Sequence, residues 1–95
     1  MRLTPYQQQA IKKHFLGVFK EGDIYLFGSR VDDNAKGGDI DLYLVVPNQK
    51  GLAIKRIEFL VKLKRDIGEQ KIDVVFDRGK DRLIDKIAKE QGIKL

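Results

Sequence analysis

Apolar positions along the chain follow two rhythms, and the changes between them mark out the elements. Ile11, Phe15, Val18 and Phe19 recur at helical spacing, as expected of one buried stripe. Upstream, Thr4-Pro5-Tyr6-Gln7 forms a helix opening: Thr4 can cap, Pro5 suits the first helical position, and Gln7 can close a capping box. The helix that opens here is predicted to end near Lys20, where Gly22 and Asp23 break it. Ile24 to Phe27 then reads as a short strand. The polar stretch RVDDNAKGG, after Gly28-Ser29, has no period and reads as a loop.

From Asp39 to Val46 the rhythm changes to strict alternation. Ile40, Leu42, Leu44 and Val46 share one face, and Asp39, Asp41, Tyr43 and Val45 the other. This predicts a strand with one clear core face and a second face that is polar at its start. After a turn at Pro47 to Gly51, a second helix is expected from about Leu52 to Ile67, with Ile57, Leu60, Val61 and Leu63 available for burial and Gly68 as its stop. A third strand, Lys71 to Phe76, sets Ile72, Val74 and Phe76 against Asp73 and Val75. The last amphipathic segment, Arg82 to Gln91, carries Leu83, Ile84, Ile87 and Ala88 before Gly92 ends it. The order helix, strand, strand, helix, strand, helix predicts an α/β (α+β) fold. Its small sheet would carry helices on one face and leave the other for a site or a partner.

With 95 residues the chain is expected to form a single domain, residues 1–95, with one modest core. Nineteen Lys and Arg against fourteen Asp and Glu leave a formal charge of +5, which mildly favours anionic partners. The excess is spread through mixed-sign runs such as KLKRDIGEQK, the pattern of a solvated face. The absence of cysteine removes disulfides, thiol catalysis and thiolate metal sites. His14 is the sole histidine, so a multi-histidine zinc site is excluded as well. No apolar segment approaches the roughly 20 residues that span a bilayer, and no signal peptide opens the sequence. The expected location is the cytoplasm, with no membrane association.

Against this background Asp39 and Asp41 stand out. Two carboxylates on one strand face repel each other and resist leaving water. They lie about 6.5 to 7 Å apart along the chain, and inward rotamers could share a divalent ion. Asp73 would join them if its strand is their neighbour. Three carboxylates without histidine or cysteine form a hard oxygen set that suits magnesium, or manganese, better than zinc. The matching chemistry is phosphoryl or nucleotidyl transfer. Glycoside hydrolysis also uses paired acids, but this short chain has no tryptophan to stack on a sugar. Gly28-Ser29 can supply a tight turn, exposed amides and a hydroxyl for phosphate oxygens. Arg30 and Lys36 could add positive charge beside a triphosphate. His14, next to Phe15, reads as structural or solvent-facing.

As a spaced set, Gly28-Ser29, the polar loop, Gly38-Asp39-Ile40-Asp41-Leu42 and Ile72-Asp73-Val74 closely resemble the minimal nucleotidyltransferases of the DNA polymerase beta-like superfamily. The resemblance implies a mixed sheet backed by helices. It further implies that Gly28 and Ser29 hold the nucleotide phosphates, with Arg30 beside them as a further candidate for nucleotide binding, and that Asp39 and Asp41 act as metal ligands. Asp73 would be the third catalytic and metal-binding carboxylate, which helps to activate the acceptor hydroxyl. Magnesium and ATP, or another nucleoside triphosphate, are the implied cofactor and substrate. Larger members add a second domain, which this chain is expected to do without. Small members are often encoded beside a helical HEPN-domain protein as a toxin–antitoxin pair, and some transfer AMP to that partner. The resemblance therefore implies a HEPN-type partner and a transfer onto it. Two other readings stand beside it: a catalytically silent antitoxin or regulatory module that binds such a partner, and, ranked last, a nucleic-acid-binding module resting on net charge alone.

Overall fold

In a computed structural model that describes residues 2–31, 38–79 and 82–95, the chain forms a four-stranded mixed sheet with helices on both faces. The elements are α1 (Pro5–Phe19), β1 (Asp23–Phe27), a short 3-10 turn (Gly28–Val31), β2 (Ile40–Val45), α2 (Leu52–Ile67), β3 (Ile72–Phe76), α3 (Leu83–Gln91) and β4 (Ile93–Lys94). The sheet runs β3-β2-β1-β4. β1 pairs antiparallel with β2 and β4, and β2 pairs parallel with β3.

α1 opens as its sequence predicts. The Thr4 hydroxyl accepts from the Gln7 amide at 3.0 Å, and the Gln7 side chain accepts from the Thr4 amide at 3.0 Å, so two orphan donors of the first turn are satisfied reciprocally. Its stripe of Ile11, Phe15, Val18 and Phe19 is buried against the sheet face made by Ile24, Leu26, Ile40, Leu42, Leu44, Ile72, Val74 and Phe76. Phe19 is the hub of this core, with its ring 5.4 Å from Phe15, 5.9 Å from Phe59 and 5.8 Å from Phe76. The His14 ring bonds the Asp66 carboxylate and so ties α1 to α2, a structural duty.

Three expectations are corrected. α2 has apolar residues on more than one side, and packing selects Leu52, Phe59 and Leu63 for burial, while Ile57 and Val61 stay in solvent. Leu52, Phe59 and Leu63 follow one another at offsets of seven and four, which keeps them on a single helical face. The second sheet face is not left open: α3 lies across it, and Ala88 buries with Phe27 and Tyr43 while Leu83 stays exposed. β2 is consequently buried on both faces beyond its first residues, which accounts for its nearly unbroken apolar run. Finally, the element order gains a member: after Gly92 ends the last helix as expected, Ile93 and Lys94 add a short strand to the free side of β1.

α3 is held by polar contacts as well as by Ala88. The Tyr43 hydroxyl, inside the sheet–helix interface, donates to Asp85 at 2.8 Å. The Arg82 guanidinium donates to the same carboxylate at 2.9 and 3.0 Å and to the Phe76 carbonyl at 2.7 Å. Asp85 also accepts from the Arg82 amide at 2.9 Å, which caps the first turn of α3. The Arg82 contact holds the Asp85 carboxyl well below the usual carboxylate range, whereas burial and the Asp85 bond push the Tyr43 phenol upward. Tyr43→Phe removes one buried hydrogen bond while Arg82 keeps Asp85 paired, so it should cost about 1 kcal/mol. Urea unfolding followed by circular dichroism will read that loss as a lower midpoint at unchanged slope.

Among the described residues no helix is long and apolar enough to cross a membrane.

Candidate active site

The site is built at the start of β2, the second strand in the sheet order. Asp41 stands opposite Phe27 on β1 and opposite Asp73 on β3. Parallel register thus brings Asp73 beside Asp41 on the face that carries α3, an arrangement that sequence spacing alone leaves open. The odd-numbered residues of β2 and β3 point this way because their even-numbered neighbours fill the core.

The electrostatics show how close the acids are. The Asp41 carboxyl is raised above its usual 3.8, first by burial, then by the charges of Asp73 and Asp39, and also by a side-chain hydrogen bond with Asp73. Asp39, just before β2, has a different partner: its Oδ2 lies 3.3 Å from Lys71 Nζ. Asp39 in turn raises the Lys71 ammonium. The structure therefore brings Asp41 and Asp73 together, with Asp39 alongside and already engaged. Among the described residues, no three Asp, Glu, His or Cys side chains are grouped so that they could hold a metal ion. The donor chemistry of the Asp41–Asp73 pair fits a hard divalent cation, and Asp39 would complete the set on leaving Lys71.

Gly28 fits closely over the acid. Its backbone has φ +77, and a Cβ built there would come 2.2 Å from Asp41 Oδ2. The carboxylate fills the space that any side chain would need, and the left-handed conformation itself favours glycine. The turn after β1 and the central acid are thus packed as one unit. A recess of about 310 Å³ opens beside it between Gly28, Val31, Ile87 and Gln91.

The remaining candidates sit differently. Ser29 follows Gly28 in the 3-10 turn, and its side chain lies outside the described residues, as does Lys36. Arg30 spends its donors on the protein: on the Arg2 carbonyl at 2.9 Å, the Gly38 carbonyl at 3.3 Å and the Gln70 side chain at 3.4 Å. It clamps the chain on either side of the loop. Lys71 escaped sequence reasoning, although a cation two residues before Asp73 on the same strand face was a usable signal.

Residues 9–95 match the family model described as Polymerase beta, Nucleotidyltransferase. No curated protein matches the chain.

Proposed function

The chain belongs to the polymerase beta nucleotidyltransferase family, and we propose that it transfers a nucleoside monophosphate, AMP from ATP, to a hydroxyl on a partner protein. The observation that carries this reading is the placement of Asp41 beside Asp73 and beneath Gly28. In this reading the Gly28–Ser29 turn receives the triphosphate, and the adjoining recess accepts part of the nucleoside. Asp73 takes the proton of the acceptor hydroxyl as its oxygen attacks the α-phosphorus. The bond from that phosphorus to the bridging oxygen of the β-phosphate breaks, and pyrophosphate leaves. Asp39, Asp41 and Asp73 would hold magnesium, which when bound neutralises phosphate charge and stabilises the leaving oxygen. Arg30 would act indirectly, by fixing the turn.

Efficient transfer also needs the acceptor held in line and water excluded. A partner that completes the cleft would supply both. A HEPN-type protein in a cytoplasmic toxin–antitoxin pair is the partner that this reading favours. A silent module that binds the same partner without turnover is the competing reading, and the Lys71–Asp39 ion pair favours it, because Lys71 neutralises an acid that catalysis would need free.

Without divalent metal, acids near a triphosphate repel it. ATP should therefore bind only weakly without magnesium and clearly better with it, and calorimetric titration in both conditions will show the difference. Equal affinity would remove the metal role. Intact-mass measurement of the HEPN-type partner after incubation with ATP, magnesium and the protein should show added AMP. A partner mass that stays unchanged with each common nucleotide, together with transfer to small alcohols by the isolated protein, would overturn the protein acceptor.

A further inference from the structure

β3 is an edge strand of the sheet, and its outer side carries backbone groups that the proposed chemistry does not use. The Lys71 carbonyl accepts from Ile40, and the Asp77 amide donates to Leu44. Alternation in a strand then directs the odd-numbered backbone groups of β3 toward β2 and those of Ile72, Val74 and Phe76 away from the sheet. Among the described residues, the Phe76 carbonyl alone of these is taken up, by Arg82. Alongside this edge runs a recess of about 450 Å³, bounded by Ala53, Arg56 and Ile57 of α2 and by Val74, Val75 and Phe76, with Arg78 and Arg82 at its end. Apolar surface continues outward from it over Ile57, Ile54 and Val61, which are 59%, 74% and 46% exposed.

We infer that this groove binds an extended acidic segment of a partner protein, added to the sheet as a strand beside β3. Three features select that occupant. The open amides and carbonyls call for another backbone, which neither a lipid surface nor a nucleic acid offers. Arg56 and Arg78 meet no acid among the described residues, so the groove has unmet demand for carboxylates. A second copy of this chain, with its formal charge of +5, would meet the arginines with like net charge, which opposes self-pairing. The alternating side chains of an incoming strand would place apolar groups over Ile57 and carboxylates toward the arginines. The inference is independent of nucleotide transfer and of metal.

Selection of a random peptide library on the intact protein should enrich acidic sequences with alternating apolar positions. For an enriched peptide, hydrogen exchange should slow at the amides of Ile72, Val74 and Phe76. The charge reversals at half-buried Arg56 (Arg56→Glu) and exposed Arg78 (Arg78→Glu) together should weaken binding by about tenfold or more, as the loss of charge-assisted contacts requires. Raising ionic strength should weaken it as well. Enrichment without acidic bias, or protection mapping away from β3, would overturn the inference. So would binding of anionic vesicles or an oligonucleotide through these arginines while acidic peptides fail to bind. ATP titration with each variant separates this surface from the acid cluster, since nucleotide affinity should stay unchanged in the double reversal.

Discussion

Asp41→Asn is expected to abolish nucleotidyl transfer, by roughly 10³-fold or more, the scale on which loss of a centrally placed electrostatic group is felt in the transition state. The fold should survive and gain slightly. The folded Asp41 carboxyl titrates above 3.8, so between that value and its raised one the native state holds the extra proton and loses stability as pH rises. At neutral pH the ionised group, close to Asp73 and Asp39, is a net cost. Asn keeps the shape and removes the charge. The wild type should therefore grow more stable relative to Asp41→Asn as pH falls through this window, and paired thermal melts across mildly acidic pH will show the gap closing. Magnesium should raise the melting temperature of the wild type and leave the variant unmoved. Retained transfer would take Asp41 out of the mechanism, and a collapsed fold would make it a structural residue.

Gly28→Ala should have the second largest effect, because it strikes fold and site together. The left-handed backbone alone costs a non-glycine residue about 1–2 kcal/mol. The new methyl must also displace Asp41 Oδ2 from a separation of 2.2 Å. For a chain of this size, each kcal/mol lowers the melting temperature by about 4–8 °C. ATP binding with magnesium should weaken in parallel, since the acid can no longer hold its place beside Asp73. Combining Gly28→Ala with Asp41→Ala gives a diagnostic cycle. Removing the carboxylate makes room for the methyl, so the double variant should be less destabilised than the sum of the two, leaving the backbone cost alone. Strict additivity would show that the close approach of Gly28 to Asp41 carries no energy.

Much of this was legible in the chain. The capping box at Thr4 and Gln7, the stripe from Ile11 to Phe19, and the bounds of α2 at Leu52 and Ile67 follow from side-chain identity and local spacing. Such patterns act within a turn or two of helix and need no distant partner. Alternation over β2 and β3 likewise divided core residues from acids, because strand geometry leaves only two directions for a side chain. The spaced set from Gly28 to Asp73 pointed to the family that residues 9–95 match.

Other features came into being only when distant segments met. Sequence offered Ile57 and Val61 for burial on equal terms with Leu63, and the opposing surface of α1 and the sheet selected the face of Leu52, Phe59 and Leu63. The position of α3 on the second sheet face depends on Tyr43, Asp85 and Arg82 closing a buried polar contact, the first two 42 positions apart in sequence. Local periodicity carries no information about a hydrogen bond of that span. The pairing of β2 with β3 set Asp73 against Asp41, and the turn after β1 laid Gly28 on the same carboxylate. The sequence determined which residue types could do chemistry and which way each strand would face them. Tertiary structure decided which acids stand together, which one Lys71 holds, and which strand edge stays open, because neighbour identity across a sheet is set by chain topology and core packing rather than by the order of residues along one strand.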